Sequence, residues 1–170
     1  MSKIFVGIDP GKKGGIAGID EEQKIIFAIT MPLLNDEYDK RKINQLFVDL
    51  KSKYELFVVL EKCHTMPLNG AKPNFTNGFQ YGIMQTVLEI NNISFEIVLA
   101  SHWQKVVFQG MTVTDTKIAS INFCLRKFPD VNLKVTDRCK NNSDGISDGL
   151  CIAVYSYRIN AINLEQNNKI

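Results

Sequence analysis

With 170 residues, 45% of them hydrophobic, the chain has material for one domain with a real core and is too short for two of ordinary size. Its formal net charge of +2 does not mark a nucleic-acid binder, and four scattered cysteines with two histidines argue against a zinc site or a disulfide framework and suit a reducing compartment. No apolar stretch reaches the length of a signal h-region or a membrane span, so a soluble intracellular protein is expected.

The first run, Ile4-Phe5-Val6-Gly7-Ile8, is apolar on both alternating faces, as a central strand covered on both sides would be, and Asp9 ends it. Asp-Pro-Gly turns the chain at once, and Gly14 and Gly15 let the backbone return beside the acid. Gly15 to Asp20 and Lys24 to Met31 read as two more strands joined by Glu21-Glu22-Gln23. Pro32 stops the third, and the stretch to Asp39 is rich in turn formers. Ile43, Leu46, Phe47 and Leu50 then recur at helical spacing, which predicts a helix over Asp39 to Lys53. Leu56 to Leu60 is a second fully apolar run, and it too ends in an acid, Glu61.

Lys62 to Asn77, with Pro67, Gly70 and Pro73, reads as a long loop directly after Glu61, a place where loops are usually functional. Phe79, Ile83, Val87 and Ile90 predict a second helix, Ser94 to Leu99 a short strand, and Ser101 to Phe108 a short helix whose Trp103 is assigned to packing. Thr114 or Asp115 caps the next helix, with Ile118, Ile121, Leu125 and Phe128 as its apolar stripe and Pro129 as its stop. The last helix begins near Ser143 and carries Ile146, Leu150, Ala153, Val154 and Tyr157 on one side, with Asp144 and Asp148 roughly opposite. A single domain over residues 1–160 is expected, followed by a polar, disordered tail over 161–170. The order of elements predicts an α/β fold, one mixed sheet with helices packed around it.

Four carboxylates stand out: Asp9, Glu61, Asp144 and Asp148. If the first and fourth strands are parallel neighbours, Asp9 and Glu61 leave the sheet at the same edge, where such sheets place their sites. A last helix lying beside that edge adds its two acids. Four anions cannot share a small site without cations, and an oxygen-only donor set with no clustered histidine or cysteine points to Mg²⁺, with Mn²⁺ able to substitute. Two such ions about 3.5 to 4 Å apart suit phosphodiester hydrolysis.

The segments IDPGKKGGIA, VVLEKCHTMPLNG, FTNGFQYGIMQTVLEI, SHWQKVVF, TKIASINFCLRKFPD and SDGISDGLCIA, in that order, resemble the RuvC-type Holliday junction resolvases, especially the compact versions of phages and prophages, over roughly Ile4 to Tyr157. The resemblance implies an RNase H-like fold with a mixed five-stranded sheet flanked by helices. It also implies a homodimer and Mg²⁺-dependent, symmetric nicking of four-way DNA junctions in recombination and repair. By motif match, Asp9, Glu61, Asp144 and Asp148 take the metal-ligand positions, and Lys117 takes a basic position near the scissile phosphate. The chain departs from the pattern in having its helix acids four apart rather than three. It also has Ser143 where phage relatives often have histidine, Gly149 in place of alanine, and a less glycine- and serine-rich loop after Glu61.

A resolvase grips duplex arms mainly through their phosphates. Between Ser101 and Lys140 seven basic residues face three acidic ones. Lys72, Lys105, Arg126, Lys127, Arg138 and Lys140 are therefore the candidate contacts beside Lys117, and Phe75 is the candidate for stacking on an exposed base. The helix Phe79 to Glu89 is the candidate dimer face. Three rival readings remain: a kinase-like ATPase, for which the chain has neither a second lobe nor a second glycine-rich phosphate turn; a non-catalytic DNA-binding relative; and a nuclease acting on forks, flaps or hybrids. No membrane and no nucleotide cofactor is expected.

Overall fold

The computed structural model describes residues 1–64, 70–136, 138–139 and 141–167, the last seven of these in their backbone only. In chain order the elements are β1 (Ser2–Asp9), β2 (Gly15–Asp20), β3 (Ile25–Thr30), β4 (Leu33–Leu34), β5 (Glu37–Tyr38), α1 (Lys40–Lys53), β6 (Tyr54–Glu61), α2 (Ala71–Ile90), β7 (Phe95–Val98), α3 (Ala100–Val107), α4 (Thr116–Lys127) and α5 (Asp144–Asn167). One five-stranded sheet has the order β3-β2-β1-β6-β7. The first three strands form an antiparallel meander, whereas β6 and β7 run parallel to β1, so the sheet is mixed as expected.

The pleat divides the core in two. Ile4, Val6, Ile8, Val58 and Leu60 point to the side covered by α1 and α2, and Phe5 and Val59 point to the side covered by α3, α4 and α5. Both central strands are apolar on both faces because helices cover both. Ile8 lies opposite Leu60 in the parallel register, so the next residues, Asp9 and Glu61, leave the sheet side by side at the C-terminal edge and on the α5 face.

The last helix is central rather than peripheral. It packs on β1, β2, β3 and β6 and against α3 and α4. Ile146, Leu150, Cys151, Ile152, Ala153 and Val154 are all buried, so the apolar residues surround the helix instead of forming the single stripe expected from the sequence. Backbone contact makes this possible. A side chain at Gly7 would run into the backbone of Gly149, Ile152 and Ala153, and one at Gly145 into that of Lys13 and Gly14. Glycine at these points lets the helix lie directly on the sheet and on the turn after Asp9, which sets both helix acids beside the strand ends. Gly149 likewise comes close to the Gly15 carbonyl, the tight packing its lack of a side chain allows.

Three further expectations change. The loop after Glu61 is shorter than the Lys62 to Asn77 span, because α2 begins at Ala71. Pro73 is compatible with this, since in the first turn its missing N–H would have no partner in the helix anyway. The buried face of α4 is Ala119, Ser120, Phe123 and Cys124, while Ile118 and Leu125 of the expected stripe are exposed. Small residues win that face because α4 lies close against α5: the Ser120 and Ser147 hydroxyls are 3.2 Å apart and the Cys124 thiol donates to the Ser147 carbonyl at 3.4 Å. The turn-rich stretch after Pro32 is a short hairpin of β4 and β5, with Asn35 and Asp36 at φ of 51° and 61°, the left-handed values a tight hairpin turn requires. Helix α5 continues to Asn167, through the first residues of the expected tail. Among the described residues no helix is long and apolar enough to cross a membrane.

Candidate active site

Asp9 closes β1, and its backbone carbonyl accepts from the Gly11 N–H at 3.0 Å to start the turn. Its carboxyl is buried, and its pKa lies well above the ordinary value. Burial is the main cause, followed by the charges of Glu61, Asp148 and Asp144 in that order, with Lys117 opposing them. The other three acids named from the sequence therefore all act on Asp9 at this sheet edge. Glu61, one strand over, is also raised by burial, against the pull of a hydrogen bond from Trp103 and the charge of His64. The Trp103 indole Nε1 donates to Glu61 Oε2 at 2.6 Å.

The helix acids are set by the start of α5. Ser143 caps it, its Oγ accepting from the Ile146 N–H at 3.3 Å, so the hydroxyl serves the helix at this position. Asp144 in the first turn forms an ion pair with Lys117 Nζ at 2.8 Å, which holds its carboxyl below the usual range. Lys117 is placed for this by Asp115, which caps α4 by accepting from the Lys117 and Ile118 N–H groups at 2.8 and 3.0 Å. Asp148, one turn further along and mostly buried, has its pKa pushed up to about 7, chiefly by burial and then by Glu61 and Asp144, with a Ser120 hydrogen bond working the other way.

Among the described residues no group of three or more histidine, cysteine, aspartate or glutamate side chains is arranged as a formed metal cage. Two of the four acids instead have protein partners at contact distance: Glu61 has Trp103 and Asp144 has Lys117. The donor chemistry nevertheless fits a hard divalent cation. The four carboxylates stand at one sheet edge, and burial first and the neighbouring acids second raise the pKa values of Asp9 and Asp148, so a cation bound beside them would be favoured. Beside Asp144 a groove of about 560 Å³ runs past Lys12, Lys13, Thr30, Asn142 and Ser143.

The remaining candidates separate. Lys72 and Phe75 lie not in a loop but in the first two turns of α2, where Phe75 is 75% exposed and stacked on Phe79 with ring centroids 6.3 Å apart. Lys105 on α3, Arg126 at the end of α4 and Arg138 are exposed. Lys127 does not join the acids: at a rise of about 1.5 Å per residue it sits about 15 Å along α4 from Lys117, and its Nζ donates to Gln23 at the opposite end of the sheet. Lys140 lies outside the described residues. Sequence reasoning missed the part of Trp103, which donates to Glu61 from α3; the tryptophan in SHWQK just after a strand was the visible signal.

No family model matches the chain, and no curated protein matches it. Among solved structures it is similar to RuvC of T. thermophilus in complex with a Holliday junction substrate, with a TM-score of 0.65 at 12% identity over 94% of each chain. A second structure of Thermus thermophilus RuvC gives a TM-score of 0.61 at 14% identity, covering 93% of this chain and 96% of that one. The likeness is one of fold, and the mixed sheet with its flanking helices is the RuvC, RNase H-like arrangement.

Proposed function

We propose that this chain, with the RuvC fold as premise, is a metal-dependent endonuclease that resolves four-way DNA junctions by symmetric phosphodiester hydrolysis in recombination. The observation that carries the reading is the shared electrostatics of Asp9, Glu61, Asp148 and Asp144 at one sheet edge, on a fold whose solved relative holds a Holliday junction substrate. Asp9, Glu61, Asp144 and Asp148 would hold Mg²⁺ or Mn²⁺. When bound, such an ion supplies a nucleophilic water at neutral pH and stabilises charge on the phosphate oxygens.

The chain's own residues prepare the rest. Trp103 fixes one oxygen of Glu61 and so the orientation of that carboxylate. Asp148, whose pKa burial raises in the metal-free chain, would give up its proton on holding the ion. Lys117, 71% exposed beyond its contact with Asp144, presents its ammonium to a phosphate entering from solvent. Lys12 and Lys13 line the adjacent groove and suit the path of a DNA strand. Exposed Lys72, Lys105, Arg126 and Arg138 supply further phosphate contacts, and the Phe75–Phe79 pair offers a ring face to an unstacked base.

A homodimer would place two such sites on a symmetric junction. The supporting feature is a groove of about 540 Å³ along α2, lined by Gly78, Phe79, Gly82, Ile83, Val87 and Ile90. Phe79 and Ile90 are 54% and 65% exposed there. A protein with this role works inside the cell.

The test is cleavage of matched four-way, forked, linear and RNA/DNA hybrid substrates with Mg²⁺, alongside Asp9→Asn and a chelator control. Paired nicks confined to the four-way junction and absent in both controls are expected. Equal cleavage of forks or hybrids would move the function to a broader structure-selective nuclease, and binding without any cleavage to a non-catalytic relative.

A further inference from the structure

Helices α4 and α5 meet in a column of paired polar side chains. Lys117 faces Asp144 at 2.8 Å, the Ser120 hydroxyl faces that of Ser147 at 3.2 Å, and the Cys124 sulfur faces that of Cys151 at 3.9 Å. In every rung the α5 partner stands 27 residues after the α4 one. The two helices therefore run parallel and stay in register for about two turns. The serine and cysteine rungs are fully buried, and their bonds cross in both directions. The Cys124 thiol donates to the Ser147 carbonyl at 3.4 Å, and the Cys151 thiol donates to the Ser120 carbonyl at 3.9 Å. Toward the acid edge, Ser120 Oγ donates to the Lys117 carbonyl at 3.0 Å and Ser147 Oγ to the Asp144 carbonyl at 2.9 Å. The hydroxyl pair is thus bonded to the backbone of the two residues that form the ion pair.

Apolar side chains would also hold α4 against α5, but they pack nearly as well at several registers, whereas directed hydrogen bonds between buried groups favour one. Register matters at the top of the column. A slip of one residue moves α4 by about 1.5 Å along its axis and turns it besides, enough to part the Lys117 ammonium from Asp144. We infer that Ser120 and Ser147 are positioning residues for Lys117: their bridge sets α4 on α5, and with it the place of the lysine ammonium beside Asp144. The inference deepens the proposed function and rests on it for the kinetic readout alone; the effect of the bridge on the Lys117–Asp144 pair stands without it. The small polar residues on the buried face of α4 then have a reason beyond close packing: they hold the helix that carries the cation to the acid edge.

The experiment compares Ser120→Ala, Ser147→Ala and the double variant in the full chain. Each single change suits the fold, because the remaining hydroxyl keeps its carbonyl acceptor in its own helix and no buried donor is orphaned. The ¹³Cε signal of Lys117 in metal-free protein is expected to move toward that of a free lysine in both single variants. Nicking of a four-way junction with Mg²⁺ is expected to fall about tenfold in each. It should fall no further in the double variant, nor when either change is added to Lys117→Ala, since all act through one ammonium. A Lys117 signal unmoved in either single variant overturns the inference. So does an added fall on top of Lys117→Ala, the mark of a general loss of structure, or an effect confined to Ser120→Ala, which would trace to the neighbouring Asp148 instead. If the unaltered protein nicks nothing, the proposed function fails, and the ¹³Cε signal then supports or overturns the positioning role by itself.

Discussion

Asp148 has a carboxyl at about 7, far from the 3.8 it has when free, and the difference is a statement about stability. Between those values the unfolded chain has released its proton while the folded chain keeps it, so the folded state binds more protons. Stability of the metal-free protein therefore falls as pH rises from about 4 to about 7 and levels off above, and Asp9, raised for the same reason, adds to the fall. The effect is on the order of a few kcal/mol. Thermal melts across that range check the slope, and Asp148→Asn is expected to raise the melting temperature at about pH 8 while abolishing nicking. Mg²⁺ should stabilise the protein more at about pH 8 than at about pH 5, because protonated acids bind it poorly. Trp103 gives a second prediction at this scale. Trp103→Phe keeps an aromatic ring in the core but removes the donor to Glu61, leaving a mostly buried carboxylate short of a partner. A decrease of about 1.5–3 kcal/mol is expected in chemical denaturation, with a larger proportional fall in nicking rate than in junction affinity.

Among the elements, α2 has two faces with different roles. Gln80, Met84, Val87 and Leu88 are buried, while Gly78, Phe79, Gly82 and Ile83 line the outer groove. An added side chain at Gly82 would meet nothing within 4 Å in a single chain. Gly82→Ala should therefore stabilise the isolated chain by up to about 1 kcal/mol through helix propensity. If α2 packs on a second copy, the same change weakens the dimer, and a monomer in sedimentation at micromolar concentration is the expected sign; an unchanged dimer would place the interface elsewhere. Phe79, Ile83 and Ile90 were visible in the sequence as an apolar row, but nothing in that row said that it faces outward. Periodicity reports that a face is apolar, not what covers it. The reverse holds in α4, where Ala119, Ser120 and Cys124 carry too little hydrophobicity to register, yet form the buried face because α5 comes so near. Strands β1 and β6 were legible because burial on both faces writes an unbroken apolar run, and the acids at their ends were legible because each interrupts one. Trp103 as a donor to Glu61 was not, since the two are 42 residues apart and meet only through the crossover from β6 to β7 and α3.

For the molecule as a whole, a net charge of +2 leaves no uniform attraction to DNA, so binding has to come from where the cations stand. The acid edge is itself negative and repels phosphate until its charge is balanced, which leaves approach to the lysines and arginines around it. Their contributions can be separated by salt. Removing one phosphate-binding cation should lower the slope of log affinity against log salt by about 1. Lys13→Ala, in the groove beside Asp144, and Lys72→Ala, in the first turn of α2, are expected to do so without changing which branched substrates are preferred. Lys127→Ala is expected to leave the slope unchanged, because its ammonium is held by Gln23 at the opposite end of the sheet and its pKa is already lowered by burial and by Arg158. Fluorescence anisotropy of a labelled four-way junction between about 50 and 200 mM salt, a range over which about six phosphate contacts cost about a thousandfold in affinity, resolves a change of a single cation. A slope that drops for Lys127→Ala as much as for Lys13→Ala would mean that DNA wraps the far end of the sheet as well, and that the acid edge is only part of the surface that holds the junction.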